Sequence, residues 1–336
     1  KRSVRRTIAA LLMVSALIVA AVPADYISAQ EDGYEDEVYE EGFEDEWAVG
    51  ADSVDYEKDG IVFHFTDGVL TGYDAQDGNT DGISELTIPD TYQKQTGTDL
   101  SGNAIFADVS VTGIANEACK DKTGLRGVRI PTSCTSIGDS AFEGCTQLAN
   151  LDNLSNSALK SIGIGAFKDC ESLGISLSFP NSLASLGRSA FENTAVSSVT
   201  IPNGQISQIA ENTFSGCASL TNVTIGDSVS EINNSAFKDC TSLSSVKLPA
   251  GLLRIGDFAF QNCGLGSIEL PQKLNSLGTS VFNECKKMGS VTFADGIGLT
   301  TIPEGTFHNC EGLTELIFPE KITEIHKEAL KGCTGL

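Results

Sequence analysis

Ten apolar residues recur along this chain on one ruler: Ile114, Ile137, Ile162, Leu186, Ile209, Ile232, Ile255, Leu277, Ile302 and Ile325, at steps of 22 to 25 residues. A unit that short cannot close a hydrophobic core alone. Its inward side chains must bury against the units before and after it, which makes a solenoid. Length by itself would argue for two domains at 336 residues, but a stacked array grows without needing a second core. One body of repeats is expected, and in such a body function sits on an outer surface.

Within a well-formed unit, Ile232 to Leu252, the apolar positions fall at offsets 0, 4, 5, 8, 11, 14, 16 and 20 from the marker. Offsets 14 and 16 have the period of two of a strand, whereas 0, 4, 5 and 8 have the spacing of about one helical turn. Each coil is therefore expected to run strand, turn, short helical segment, turn. Pro131, Pro180, Pro202, Pro249, Pro271 and Pro319 close the strands at one place, where a missing N–H costs little. Phe142, Phe167, Phe191, Phe214, Phe237, Phe260, Phe282 and Phe307 all occupy offset 5 and should form a buried spine.

The residues before the repeats divide by composition. Lys1, Arg2, Arg5 and Arg6 precede an apolar run from Ile8 to Val22, the layout of a secretory signal peptide over residues 1–29, with cleavage expected after Ala24 or Ala29. The run is short for a membrane span, so the mature chain is expected to have none. Loss of those four cations takes the net charge from −23 to near −27, which excludes nucleic acid as a partner because a polyanion repels phosphate. Residues 30–59 are acidic and are expected to be a disordered linker, since self-repulsion extends such a segment. Residues 60–112 carry short β-type runs between Asp/Gly turns and read as an N-terminal β cap with a first partial repeat. The repeats occupy 113–336, the last one incomplete, because Leu336 falls at offset 11 of its unit.

The segments Ile137-Gly-Asp-Ser-Ala-Phe-Glu-Gly-Cys145 and Ile255-Gly-Asp-Phe-Ala-Phe-Gln-Asn-Cys263 closely resemble the BspA-like leucine-rich repeats. The resemblance implies an α/β fold, a right-handed β/α horseshoe or arc, on secreted or surface-exposed proteins that act as adhesins. Departures are local: Thr194 and Lys122 stand in place of Cys, Cys119 in place of Phe, and Gly226 where Pro is usual.

Ten cysteines in an exported chain would ordinarily mean disulfides. Here Cys145, Cys170, Cys217, Cys240, Cys263, Cys285, Cys310 and Cys333 all sit at offset 8 and face inward. Strand-spaced coils place them slightly too far apart for bridges, so buried free thiols or a few inter-coil bridges are both open. No Cys-x-x-Cys accompanies them, and no metal or other cofactor is expected. His64, His308 and His326 belong to no hydrolase or metalloprotease pattern, and the chain is read as no enzyme. Asp77-Gly-Asn79-Thr-Asp81-Gly82 has the first half of a calcium loop without the second, and reads as a polar turn.

The outward strand positions are the better clue. They carry Arg129, Ser178, Thr200, Thr224, Lys247, Glu269, Thr292 and Ile317, a strip rich in hydroxyls with a few charges. Arg129, Thr200, Thr224, Lys247, Glu269 and Thr292 are the candidate ligand-binding residues, suited to an extended peptide or a glycan through many modest hydrogen bonds. The expected partner is a host or microbial surface protein or glycan. The competing reading is a structural module that spaces or presents another domain, in which Ser and Thr serve only strand propensity and solubility. Nothing in the sequence fixes the oligomeric state.

Overall fold

The computed structural model describes residues 53–336. The expected signal peptide and most of the acidic stretch lie outside these residues. The last part of that stretch, Ser53–Lys58, is the first strand of an antiparallel meander with Ile61–Thr66 and Val69–Ala75. Alternation of Val54 and Tyr56 with charged residues gives this strand one side to pack against the core.

From Val69 onward the coils stack in parallel. Val69–Ala75 pairs with Gly113–Ile114, and that with Ser136–Ile137, Ser161–Ile162 and Ser185–Leu186. The ruler residues therefore lie one above the next, each at the end of a two-residue strand. Leu70 is an earlier member of the same row, opposite Ile114. The row continues through Gln208–Ile209, Glu231–Ile232, Arg254–Ile255 and Ser276–Leu277, then Thr301–Ile302 with Glu324–Ile325.

The long interval from Leu70 to Ile114 is filled by an inserted ribbon. Strands Thr91–Thr98 and Ala104–Ser110 pair antiparallel, with Tyr92 at the base stacked on Phe65 at 4.4 Å and its hydroxyl accepting the Gly68 N–H at 3.1 Å. Farther out the ribbon is exposed, including Leu100, Ile105 and Phe106.

A second wall of longer strands forms where offsets 14 and 16 predict it. It runs Glu85–Thr87, Gly127–Arg129 and Asn150–Asp152 in one sheet. Ser176–Ser178, Ser198–Ile201, Asn222–Ile225 and Ser245–Lys247 form the next, and Ser267–Leu270, Ser290–Phe293 and Glu315–Leu316 the last.

The helical segment expected over offsets 0 to 8 is not there. Among the described residues only Thr80–Gly82 and Leu154–Asn156 are helical, each a single 3₁₀ turn, so the horseshoe with an α-helical side is corrected to a β-solenoid of strands and turns. Hydrogen bonding explains the difference. An α-helix sends each N–H four residues back along its own chain, but here Ser140, Phe142 and Gly144 donate to Ile164, Ala166 and Lys168 of the next coil at 2.8 to 2.9 Å. The alternate N–H groups close four-residue turns, as Glu143 to Ser140 and Cys145 to Phe142. Ser140 and Gly144 supply the left-handed corners, at φ 52° and 73°.

This geometry aligns equivalent side chains between coils. The eight spine phenylalanines are buried and stack from Phe142 to Phe307 with ring centroids 5.1 to 5.8 Å apart and planes within 13°. The cysteines at offset 8 are free. From Cys170 to Cys333 each thiol donates to the carbonyl of the spine Phe in the preceding coil at 3.0 to 3.2 Å. Cys145 does the same to Cys119, which occupies the Phe position of its own coil. The small apolar thiol thus fills core space and adds a second donor to a carbonyl that already accepts the turn N–H of its own coil.

Candidate binding face

Parallel pairing without register shift fixes the outer face of the long-strand wall. Val199 pairs with Val223 and faces the core, so the residues on either side face out. Ser178, Thr200, Thr224 and Lys247 stand in direct register across four hydrogen-bonded strands. All four are exposed. Glu269 and Thr292 are paired in the same way on the following sheet and are also exposed.

Arg129 does not join them. It lies in the first sheet, between Thr87 and Asp152, and its guanidinium is engaged by the Asp90 carboxylate at 3.0 Å and the Ile88 carbonyl at 3.5 Å. Asp90 also accepts the Thr132 N–H at 2.9 Å; these donors hold its carboxyl below the usual carboxylate range against the opposing effect of burial. Arg129 is a strut that ties the start of the stack together. The sequence strip is therefore Thr200, Thr224 and Lys247 in register on one sheet and Glu269 and Thr292 on the next, with Arg129 set apart.

One feature of the wall was missed by pattern reading. Thr224, Lys247 and Glu269 line a groove of about 680 Å³, with Val246, Pro249 and Pro271 among its apolar lining. Its trace in the sequence is a count: six steps separate Cys240 from Val246, and five separate Cys263 from Ile268.

The other polar groups singled out in the sequence lie elsewhere. His64 bridges Asp55 at 2.7 Å and Asp74 at 3.0 Å on the meander; its pKa is raised chiefly by the hydrogen bond to Asp55, with burial opposing. Asp77 accepts the Asn79 N–H at 3.0 Å, the hydrogen bond of a local turn. Among the described residues, no three His, Cys, Asp or Glu side chains gather as a metal-ligand set, and no helix is long and apolar enough to cross a membrane.

Several solved structures are similar to this chain. A leucine-rich repeat protein of Bacteroides ovatus is 23% identical, over 85% of this chain and 79% of that one, with a TM-score of 0.52, and shares the fold. A leucine-rich cell surface protein of Faecalibacterium prausnitzii is 24% identical over 84% and 87%, with a TM-score of 0.43. A leucine-rich repeat protein of T. pallidum is 29% identical over 68% and 84%, with a TM-score of 0.44. No curated protein matches. The BspA type leucine rich repeat region matches residues 100–219 and 207–336 in six copies, and the chain belongs to that repeat family.

Proposed function

We propose that this chain is an exported binding module that adheres, through its long-strand wall, to a surface protein or glycan of a host or microbe. The observation that carries the reading is the exposed row Thr200, Thr224, Lys247, Glu269 and Thr292. Two ladders fix the spacing of these groups within each sheet before any ligand arrives, so little conformational freedom is lost on contact. Individually the contacts are modest, at about 0.5 to 1.5 kcal/mol each, and affinity comes from engaging several at once. No bond is made or broken. The basic-apolar leader of residues 1–29 supports action outside the cell, and residues 60–112 serve in this reading as the cap of the first coil.

The test compares the mature chain with a variant carrying Thr200→Ala, Thr224→Ala, Lys247→Ala and Glu269→Ala, both probed against immobilised matrix proteins and a glycan array. The wild type is expected to bind at least one class of ligand and the variant to lose at least tenfold in affinity. Equal binding by the two chains clears the wall of a role. Binding by neither leaves a module that spaces or presents another domain.

A further inference from the structure

The long-strand wall has a seam. Ser245–Lys247 is the last strand of a four-stranded sheet and Ser267–Leu270 the first of the next, so the ladder stops between two strands that lie side by side. At this point Gly264-Leu-Gly266 stands where the coil before has one residue more. Gly266 still donates to the Ser244 carbonyl at 3.0 Å, and beyond that point the strands part.

Two consequences are visible. Val246 is half-buried, whereas Val199, Val223 and Ile268 at the same position are at most 3% exposed. The groove of about 680 Å³ opens here, lined by Lys247 from one strand, Glu269 from the other, and Asp227. Neither the Lys247 nor the Glu269 side chain has a hydrogen-bond or ion-pair partner among the described residues.

We infer that the seam is the docking slot for an extended polypeptide segment bearing one acidic and one basic side chain about two residues apart, with a small apolar side chain beside them. This rests on the strand-wall reading and narrows it. Hydrogen-bonded strands are spaced about 4.8 Å, the two strands at the seam are not held at that spacing, and side chains on one edge of an extended peptide recur about every 6.8 Å. A residue over Lys247 and its second neighbour over Glu269 therefore fit the two strands. A neutral sugar matches neither charge, and an acidic sugar matches only Lys247. The exposed flank of Val246, between Pro249 and Pro271, is where the apolar side chain leaves water. Unpaired opposite charges on either side of that slot set the order of the two ligand charges.

The test selects peptides from a random heptapeptide display library on the full chain, on Lys247→Glu and on Glu269→Lys, with a glycan array run in parallel. Both positions are exposed, and thermal melts of the variants are expected to match the wild type. The wild type should enrich peptides with an acid and a base two positions apart. Lys247→Glu should enrich peptides with two bases, and Glu269→Lys peptides with two acids. A synthetic peptide chosen on the wild type should lose at least tenfold in affinity for either variant. Identical selections on all three chains, no enrichment on the wild type, or binding of glycans alone overturns the inference. A ligand that is lost on Thr200→Ala with Thr292→Ala but is indifferent to both charge reversals removes the seam and leaves the wall reading standing.

Discussion

Phe237 is the most direct test of the stacked architecture. Its ring is fully buried, 5.5 Å from Phe214 and 5.3 Å from Phe260, with planes within 11°. Truncation to Ala removes apolar burial of about 2 to 3 kcal/mol and two ring contacts of about 0.5 to 1 kcal/mol each. The expected loss for Phe237→Ala is therefore about 3 to 5 kcal/mol, within the range for Phe truncation in cores. Because each coil touches only its neighbours, a defect in the middle weakens the coupling between the two halves. Urea unfolding followed by far-UV circular dichroism should show an earlier midpoint and a shallower or split transition. Phe106→Ala, on the exposed ribbon, is the control and should stay within about 0.5 kcal/mol of wild type. A Phe237→Ala shift below about 1 kcal/mol refutes the spine as the element that couples the coils.

The buried thiols give an alkaline limit to stability. Burial pushes Cys134 and Cys217 up to about 11 and Cys145 and Cys310 up to about 12, so the unfolded chain ionises first. Stability from these groups is full below about pH 8.5 and is lost as pH rises through 11 to 12; a flat melting temperature across that window contradicts the burial. In the native state a thiol-specific disulfide reagent should modify Cys333 first, because the other nine cysteines are buried. His64 sets the opposite kind of window. Its raised pKa and the lowered pKa of Asp74 mean that the pair stabilises while Asp74 is ionised and His64 protonated, and the His64 share fades as pH rises through the folded value. The melting-temperature gap between wild type and His64→Ala should be wider at about pH 5.5 than at pH 8, and an equal gap counts against the bridge. Arg129→Ala should cost about 1 kcal/mol, after allowing for solvent at the half-exposed Asp90 pair, and should leave ligand binding unchanged; lost binding with unchanged stability would return Arg129 to the contact surface.

Much of this molecule is written as a count of residues. The marker row, the spine and the thiol row were legible because a stack allows each inward position only one kind of side chain, and repetition averages away local exceptions such as Thr194. In the structure Thr194 departs from the thiol pattern: its hydroxyl lies 3.3 Å from the Cys217 thiol and donates to Phe191 of its own coil, not to the coil before. The helical segment was misread because offsets 0, 4, 5 and 8 mark inward positions in a sequence of tight turns as well as in a helix. Spacing alone does not say whether an N–H bonds within its coil or to the next one, and Ser140, Phe142 and Gly144 bond to the next. The inserted ribbon showed only as the doubled interval from Leu70 to Ile114, since Thr91 to Ser110 has no repeat to be compared with.

The binding face has the same origin, and this is why it was only half legible. A row of exposed Thr and Ser follows from register, so alternation predicts Thr200 and Thr224 without any ligand. Lys247 and Glu269 break that monotony in adjacent coils, where the count after Cys falls from six to five. In a parallel stack a missing residue cannot be absorbed as a register slip, because a one-residue slip would turn Ile268 outward and Glu269 into the core. Here the ladder is open while Ile268 stays buried, and Val246 is left half-buried beside it. The break in the wall thus coincides with the groove of about 680 Å³ and sets two unlike charges beside it.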